Sequence, residues 1–375
     1  MNSLWHRGIS SGAIIFFASV FLVLLSLVTL YSFEAVGDDG GVSFFVRQSI
    51  FAVLAFIVGV FFSRFPYQAF RNIGTPVYFA SIVILVGTLL LGETVRGTAG
   101  WIDLGFARFQ PVEGVKIALI LFLAGFFVSK RSRFGDAGRI LVSFVLVSVI
   151  VGLILLQPDF GSAVILLGIW AGMLFVSDLK AKSVFVLVLL ALLSVAGSWL
   201  FLEDYQKDRV LATIHPEADA RGSGYNVIQS MVAVGSGGMF GKGVGGGSQS
   251  QFLFLPERHT DFIFASVAES LGFVGAGFVL VLYGTLLFRI ARAASDSQES
   301  FGFLIASGIY IMLLAHIAIN IGMNLGIVPV TGIPLPLLSY GGSSLLATAA
   351  GLGMVVNIAN KKRFSVSAGK DVFEG

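Results

Sequence analysis

The sequence predicts an all-α integral membrane protein of about ten transmembrane helices, with both termini cytoplasmic and a large extracytoplasmic loop between helices 7 and 8. Three observations lead there. Of 375 residues, 56% are hydrophobic and only 12% charged, with a mean hydropathy of +0.92; an ordinary soluble domain carries roughly 25% charge. Ten apolar segments are long enough to cross hydrocarbon, which takes about 20 residues. The basic residues collect on one side of those segments. We read residues 1–375 as one polytopic membrane domain whose long outer loop runs over about 203–261.

The first segment, 13–33, is too long for a signal-peptide core and lacks a small-x-small cleavage site, so it reads as a retained helix. The next spans lie near 45–63, 75–92, 111–129, 140–156 and 160–177. The fourth opens with QPVEGVK, and only QPDFG joins the fifth to the sixth. A seventh at 183–202 precedes the long loop, and 262–288, 302–326 and 341–359 complete the set. With the N-terminus inside, cytoplasmic segments hold 15 of the 24 Lys and Arg residues, among them Arg64, Arg71, Lys130, Arg139, Arg289, Arg292 and Lys361. Most acids, including Glu93, Asp103, Asp159, Glu203, Glu257 and Asp261, fall on the other side, as the positive-inside rule requires.

Three outer segments are unlike connectors. Arg96–Pro111 mixes aromatics with charges of both signs. The 203–260 loop is longer than a connection needs, and within it Tyr225–Val234 has helical apolar spacing suited to the membrane interface. Ile327–Ser344 places Pro329, Pro334 and Pro336 in apolar surroundings. Proline breaks helical hydrogen bonding, so this segment reads as irregular backbone at membrane depth, tolerated only when buried or lining a cavity.

Ionisable residues at the edge of hydrocarbon mark functional sites by default. Asp261, in LPERHTDFIFASVAES beside Glu257, Arg258 and His259, has the chemistry of a general base; Thr260 or Asp261 capping the eighth span is the structural alternative. Glu113 and Lys116, three apart on one helix face, either neutralise each other or offer Lys116 to an anionic group with Glu113 holding it. Asp159 sits at a tight turn, with capping of the sixth span as its structural reading. Gly241-x-Gly243-x-x-Gly246 lacks the strand–helix context of a dinucleotide fingerprint, which leaves a flexible loop with Lys242 as a phosphate contact. His6, His215, His259 and His316 have no HExxH spacing, so no His-ligated metal site is expected. The absence of cysteine excludes disulfides and thiolate chemistry. The net charge of +3 is explained by the loop distribution and calls for no nucleic acid.

Five motifs in order, WIDLGFARFQPVEGVK, QPDFGSA, GSGYNVIQS, the Gly-rich loop through LPERHTDFIFASVAESLG, and PVTGIPLPLLSYGGSS, give a chain that resembles the SEDS family of shape, elongation, division and sporulation proteins, with its RodA branch nearer than its FtsW branch. The resemblance covers nearly the whole length. It implies a peptidoglycan glycosyltransferase that polymerises lipid II on the outer face of the bacterial cytoplasmic membrane during elongation. Asp261 matches the catalytic aspartate. Glu113, Lys116, Asp159, Gln229, Ser230 and Lys242 match substrate-side positions, with Glu257, His259 and Thr260 beside the aspartate. Implied partners are lipid II, a class B penicillin-binding protein, other elongation-complex membrane proteins and membrane lipids. The residues require no cofactor; the chemistry admits a divalent cation, Mg²⁺ or Mn²⁺, without an evident ligand set. Leu253 and Ser270 stand where many members carry acids, Ala220 where proline is common, and Asn324 where the family is more apolar. The rival functions are a lipid II flippase and a noncatalytic transpeptidase scaffold.

Overall fold

Long runs of Phe, Val, Leu and Ile can satisfy their backbone in lipid only as helices. The computed structural model describes residues 11–34, 43–95, 97–103, 105, 107–129, 135–177, 207, 211, 213, 215–219, 223–247, 249 and 254–371. Among them lie helices α1 (Ser11–Glu34), α2 (Phe44–Arg64), α3 (Phe70–Leu91), α4 (Pro111–Ser129), α5 (Asp136–Leu156), α6 (Phe160–Phe175), α7 (Ser223–Ser236), α8 (Ile263–Ser295), α9 (Ser300–Asn324) and α10 (Gly342–Asp371). Eight are long and apolar enough to span a membrane: α1–α5 and α8–α10. α6 is apolar but only 16 residues long. The expected seventh span, 183–202, Leu253 and Ala220 lie outside the described residues.

α4, α9 and α10 are the most buried of the spans. On α4, residues from Pro111 to Phe127 are buried almost without interruption. Glycines set the approach: a Cβ at Gly308 of α9 would come within 2.7 Å of Ile120 on α4, and one at Gly74 of α3 within 3.0 Å of the Leu121 carbonyl. Small residues are how helices pack closely where no hydrophobic force distinguishes protein from lipid. The outer helices instead turn Phe17, Phe21, Val83, Leu90 and Leu141 outward.

The structure departs from the all-helical expectation at one end of the bundle. Residues 93–109 form an antiparallel sheet of β1 (Glu93–Val95), β2 (Thr98–Asp103) and β3 (Arg108–Phe109), with Glu93 opposite Trp101 and Ile102 opposite Phe109. Gly97, at φ 83°, makes the turn between β1 and β2. Gln157, the C-cap of α5, ties the sheet down: its carbonyl accepts from Ala99 N–H at 3.2 Å, and its amide donates to Leu85 O and Thr88 Oγ1. The paired charges at the ends of this segment, Glu93 and Arg108, meet at 3.8 Å on its exposed side.

Two further expectations are corrected. The helix over 225–234 does not simply lie in the interface: α7 buries Val227, Ser230 and Ala233 and packs against α8 and α9. The eighth span is not a continuous helix. α8 breaks at Gly272 (φ 69°, ψ −164°), about 14 Å along from Ile263 at 1.5 Å per residue. The Gly-rich stretch 237–243 fills the break. Lys242 and Gly243 donate to the carbonyls of Glu269 and Ser270, while Phe273 and Val274 donate to those of Gly238 and Met239, all at 2.8–3.1 Å. Two side chains could not come this close. The crossing needs glycine on both strands, and Gly241 and Gly272 both sit at positive φ.

The irregular segment is where the prolines put it. Between α9 and α10, residues 325–341 are non-helical, with Gly326 and Gly332 at φ near 70°. This re-entrant segment bonds or packs against α2, α6, α8 and α9. Tyr283 Oη donates to Pro336 O at 2.6 Å, Gln48 of α2 bonds Ser339 O and Gly341 N–H, and Thr331 O packs on Gly161 at the start of α6.

Candidate functional site

Asp261 lies in the turn before α8, and the helix start is capped from outside. Phe262 occupies the N-cap position without a side-chain cap bond. The Ala265 N–H, which a cap side chain would ordinarily accept, donates instead to Asn324 Oδ1 of α9 at 2.9 Å. Asn324 Nδ2 and Asn320 Nδ2 both donate to the Asp261 carbonyl at 3.0 Å. Asn320 also holds Ile333 O at 2.8 Å. Gly332 passes over the carboxylate: a Cβ there would sit 3.7 Å from Asp261 Oδ2.

The rest of the HTD motif fastens to the same segment. Thr260 O accepts from Ser339 Oγ at 2.6 Å, and His259 O accepts from Tyr340 N–H at 2.8 Å. The His259 ring stacks on Phe44 at 4.3 Å and is 3.8 Å from Glu257 Oε2, which also accepts from Thr260 Oγ1. Glu257 holds φ 54°, a left-handed conformation in a non-glycine residue; three successive N–H groups, Thr260 to Phe262, bond its carbonyl and hold the turn. Arg258 lies 4.6 Å over the Phe33 ring, and its burial lowers the guanidinium from its ordinary value.

Glu113 and Lys116 sit beneath this layer. Lys116 Nζ is 2.8 Å from Glu113 Oε1 and 3.1 Å from His316 Nε2, and the three side chains are buried. His316 Nδ1 is 3.2 Å from Pro334 O. A carbonyl can only accept, so Nδ1 carries the proton and Nε2 is left as acceptor for the Lys116 ammonium. The pair thus shows the mutual neutralisation that was one of its two readings, with Lys116 coupled through a neutral imidazole to the re-entrant segment.

Asp159 caps α6, its carboxylate accepting from Ser162 N–H at 2.9 Å; the other oxygen lies 3.4 Å from Gln110 Nε2. The Gln110 N–H in turn donates to Ser343 Oγ of α10. On α7, Ser230 Oγ donates to Asn324 O at 2.8 Å, and Gln229 beside it is half-buried. Lys242 stands apart from this group. Its Nζ bonds Glu269 Oε1 at 3.0 Å, at the break in α8, where Gln249 N–H reaches the same oxygen.

The sequence reading gave no site role to four residues: His316, named there only as a histidine without metal spacing; Asn320; Asn324, named only as a departure from the family; and Glu269. The first three recur at i, i+4 and i+8, one face of α9, as a polar stripe in an otherwise apolar span. That spacing was the available signal. Glu269 was an acid inside an apolar run, with nothing local to name its partner. Among the described residues no group of three or more His, Asp or Glu side chains forms a metal-binding cluster.

With the geometry in hand, comparison with known proteins is specific. A family model described as cell cycle protein, covering FtsW, RodA and SpoVE, matches residues 12–364. The chain is 37% identical over 345 residues to the peptidoglycan glycosyltransferase MrdB of Escherichia coli K12, spanning 92% of each protein. A chain from a peptidoglycan synthase complex in which polymerization and crosslinking are coordinated superposes with a TM-score of 0.80 at 33% identity, covering 93% of this chain and 97% of that one. The rod shape determining protein RodA of Thermus thermophilus superposes with a TM-score of 0.68 at 31% identity, covering 93% and 96%.

Proposed function

The chain belongs to the FtsW/RodA/SpoVE family, and from that premise we propose that Asp261 serves as the base of a peptidoglycan glycosyltransferase extending glycan strands from lipid II. The observation that carries the assignment is the layer around Asp261: α9 amides fix its carbonyl and the re-entrant segment bonds the carbonyls of His259 and Thr260 just before it, as a group that must meet a substrate in one geometry requires.

The acceptor sugar hydroxyl attacks the anomeric carbon of a polyprenyl-pyrophosphate-linked donor. Asp261 takes the hydroxyl proton as the new glycosidic bond forms, and the pyrophosphate leaves with the electrons of the broken bond. An α-linked donor giving a β-linked product inverts the centre, so no covalent enzyme intermediate is needed. Departure of the anion is favoured by fixed positive charge. Lys116, buried and paired with Glu113, braces the Pro334 wall of the site through His316, and Lys242, paired with Glu269 but 30% exposed, is the cation of the two that an anion can reach. The divalent cation that the chemistry admits, Mg²⁺ or Mn²⁺, finds no ligand cluster among the described residues, and no step is routed through it. Asp159, through its cap on α6 and its contact with Gln110, shapes the wall of the site, as do Gln229 and Ser230 on α7.

The basic-residue bias supports placing this end of the bundle outside the bacterial cytoplasmic membrane. Likeness to a chain of a synthase complex supports a crosslinking partner, a class B penicillin-binding protein, within the elongation machinery. The test is polymerisation of purified lipid II by the full chain, wild type beside Asp261→Ala, with an inhibitor of contaminating transglycosylases. Glycan ladders from wild type and at least a 100-fold loss in the folded variant, the scale on which general-base catalysis contributes, are expected. Equal ladders from both would remove Asp261 as the base. Lipid II transport without polymer would support a flippase instead.

A further inference from the structure

We propose that Asn324 is a positioning residue for Asp261, and that it acts by capping α8 from the neighbouring helix. The inference deepens the reading of Asp261 as the base and rests on it. A helix leaves its first N–H groups unpaired, and the residue just before it ordinarily accepts from them with a side-chain oxygen. Here that position is Phe262, 1% exposed and without an acceptor. The nearest carboxylate upstream is Asp261, a residue type strongly drawn to such caps.

Asn324 takes over that duty. Its Oδ1 accepts from Ala265 N–H at 2.9 Å, and its Nδ2 donates to the Asp261 carbonyl at 3.0 Å and to Asn320 O at 2.8 Å. One fully buried amide therefore fixes both the first turn of α8 and the backbone that carries the carboxylate. Its own backbone is held in turn, since Ser230 Oγ of α7 donates to Asn324 O. Asn320 repeats half of the arrangement: it holds Asp261 O and Ile333 O but leaves Ala265 alone. Without Asn324, Ala265 N–H loses that acceptor and the Asp261 carbonyl loses one of its amide donors, so the first turn of α8 and the backbone that carries the carboxylate are loosened together.

The test uses the full-length protein in lipid nanodiscs, with Asn324→Leu as the near-isosteric loss. Asn324→Ser, which keeps a short polar group, takes its place if the leucine variant does not fold. Hydrogen exchange of the 260–268 backbone needs no substrate and is expected to quicken at least 10-fold; unchanged exchange overturns the cap. Lipid II kinetics are expected to show kcat down about 10- to 100-fold, the scale of an ångström-sized misplacement, with KM within twofold. A wild-type kcat, or a loss confined to KM, overturns the positioning role. An inactive wild-type protein, or an Asp261→Ala variant as active as wild type, instead refutes the parent reading; the exchange result stands independently of both.

Discussion

Lys242 and Glu269 form an ion pair whose two ends stand in different surroundings, and that difference sets the outcome of removing either one. The Glu269 side chain is 0% exposed and the Lys242 side chain 30%. Glu269→Gln keeps an oxygen for the Gln249 N–H and leaves an ammonium that can turn to water or lipid headgroups. The loss is that of one charge-assisted hydrogen bond with a relaxed partner, about 1–2 kcal/mol. Lys242→Met takes the cation away from a carboxylate that cannot reach solvent. Breaking a buried pair from that side costs about 3–5 kcal/mol. The asymmetry should be about 2–3 kcal/mol in favour of Glu269→Gln, and the double variant should lie above Lys242→Met because the stranded charge is gone. Reversible denaturant unfolding of the four proteins in one detergent measures all three terms as a double-mutant cycle. Equal losses for the two single variants, or Lys242→Met within 1 kcal/mol of wild type, would refute the reasoning from burial.

Asp159 separates capping from chemistry by a simple pair: Asp159→Ser keeps an acceptor for Ser162 N–H, whereas Asp159→Ala loses about 1 kcal/mol of cap. Polymerase activity retained by serine and lowered by alanine assigns a capping role; equal loss in both assigns the carboxylate a direct one. Gly161→Ala would put a methyl 2.7 Å from Thr331 O and 2.9 Å from Ile333 Cγ1, so the re-entrant segment must shift off α6. We expect kcat to fall about 10- to 100-fold with little change in expression, read in the same lipid II assay.

Much of the scaffold was legible because lipid imposes one demand on the backbone. Runs such as Ala13–Phe33 can only be helices, and Pro329, Pro334 and Pro336 inside apolar sequence can only be a buried irregular segment. The acids and bases of the site were visible for the same reason, since Glu113, Lys116 and Asp261 stand out against their surroundings. Their partners were not visible. His316 lies 200 residues from Lys116 and Asn324 lies 59 from Ala265; local sequence carries no record of such pairings. Gly272 looked like any glycine in a span, because the loop that enters its break comes from 30 residues upstream. The small sheet at 93–109 was hidden by brevity, its strands being too short for alternation to register.

The re-entrant segment has a consequence for biogenesis. The Asp261 carbonyl is held by Asn320 and Asn324 and that of its neighbour Thr260 by Ser339, while Lys116 meets His316, whose ring Pro334 holds in turn. These groups leave the ribosome after the residues they hold, at the pace of synthesis. A nascent chain that ends after α8 thus has these acids and bases but not their arrangement. Insertion of the final helical pair completes the site, so a chain truncated before residue 325 would enter the membrane incompetent, and glycan synthesis would begin only with a finished molecule.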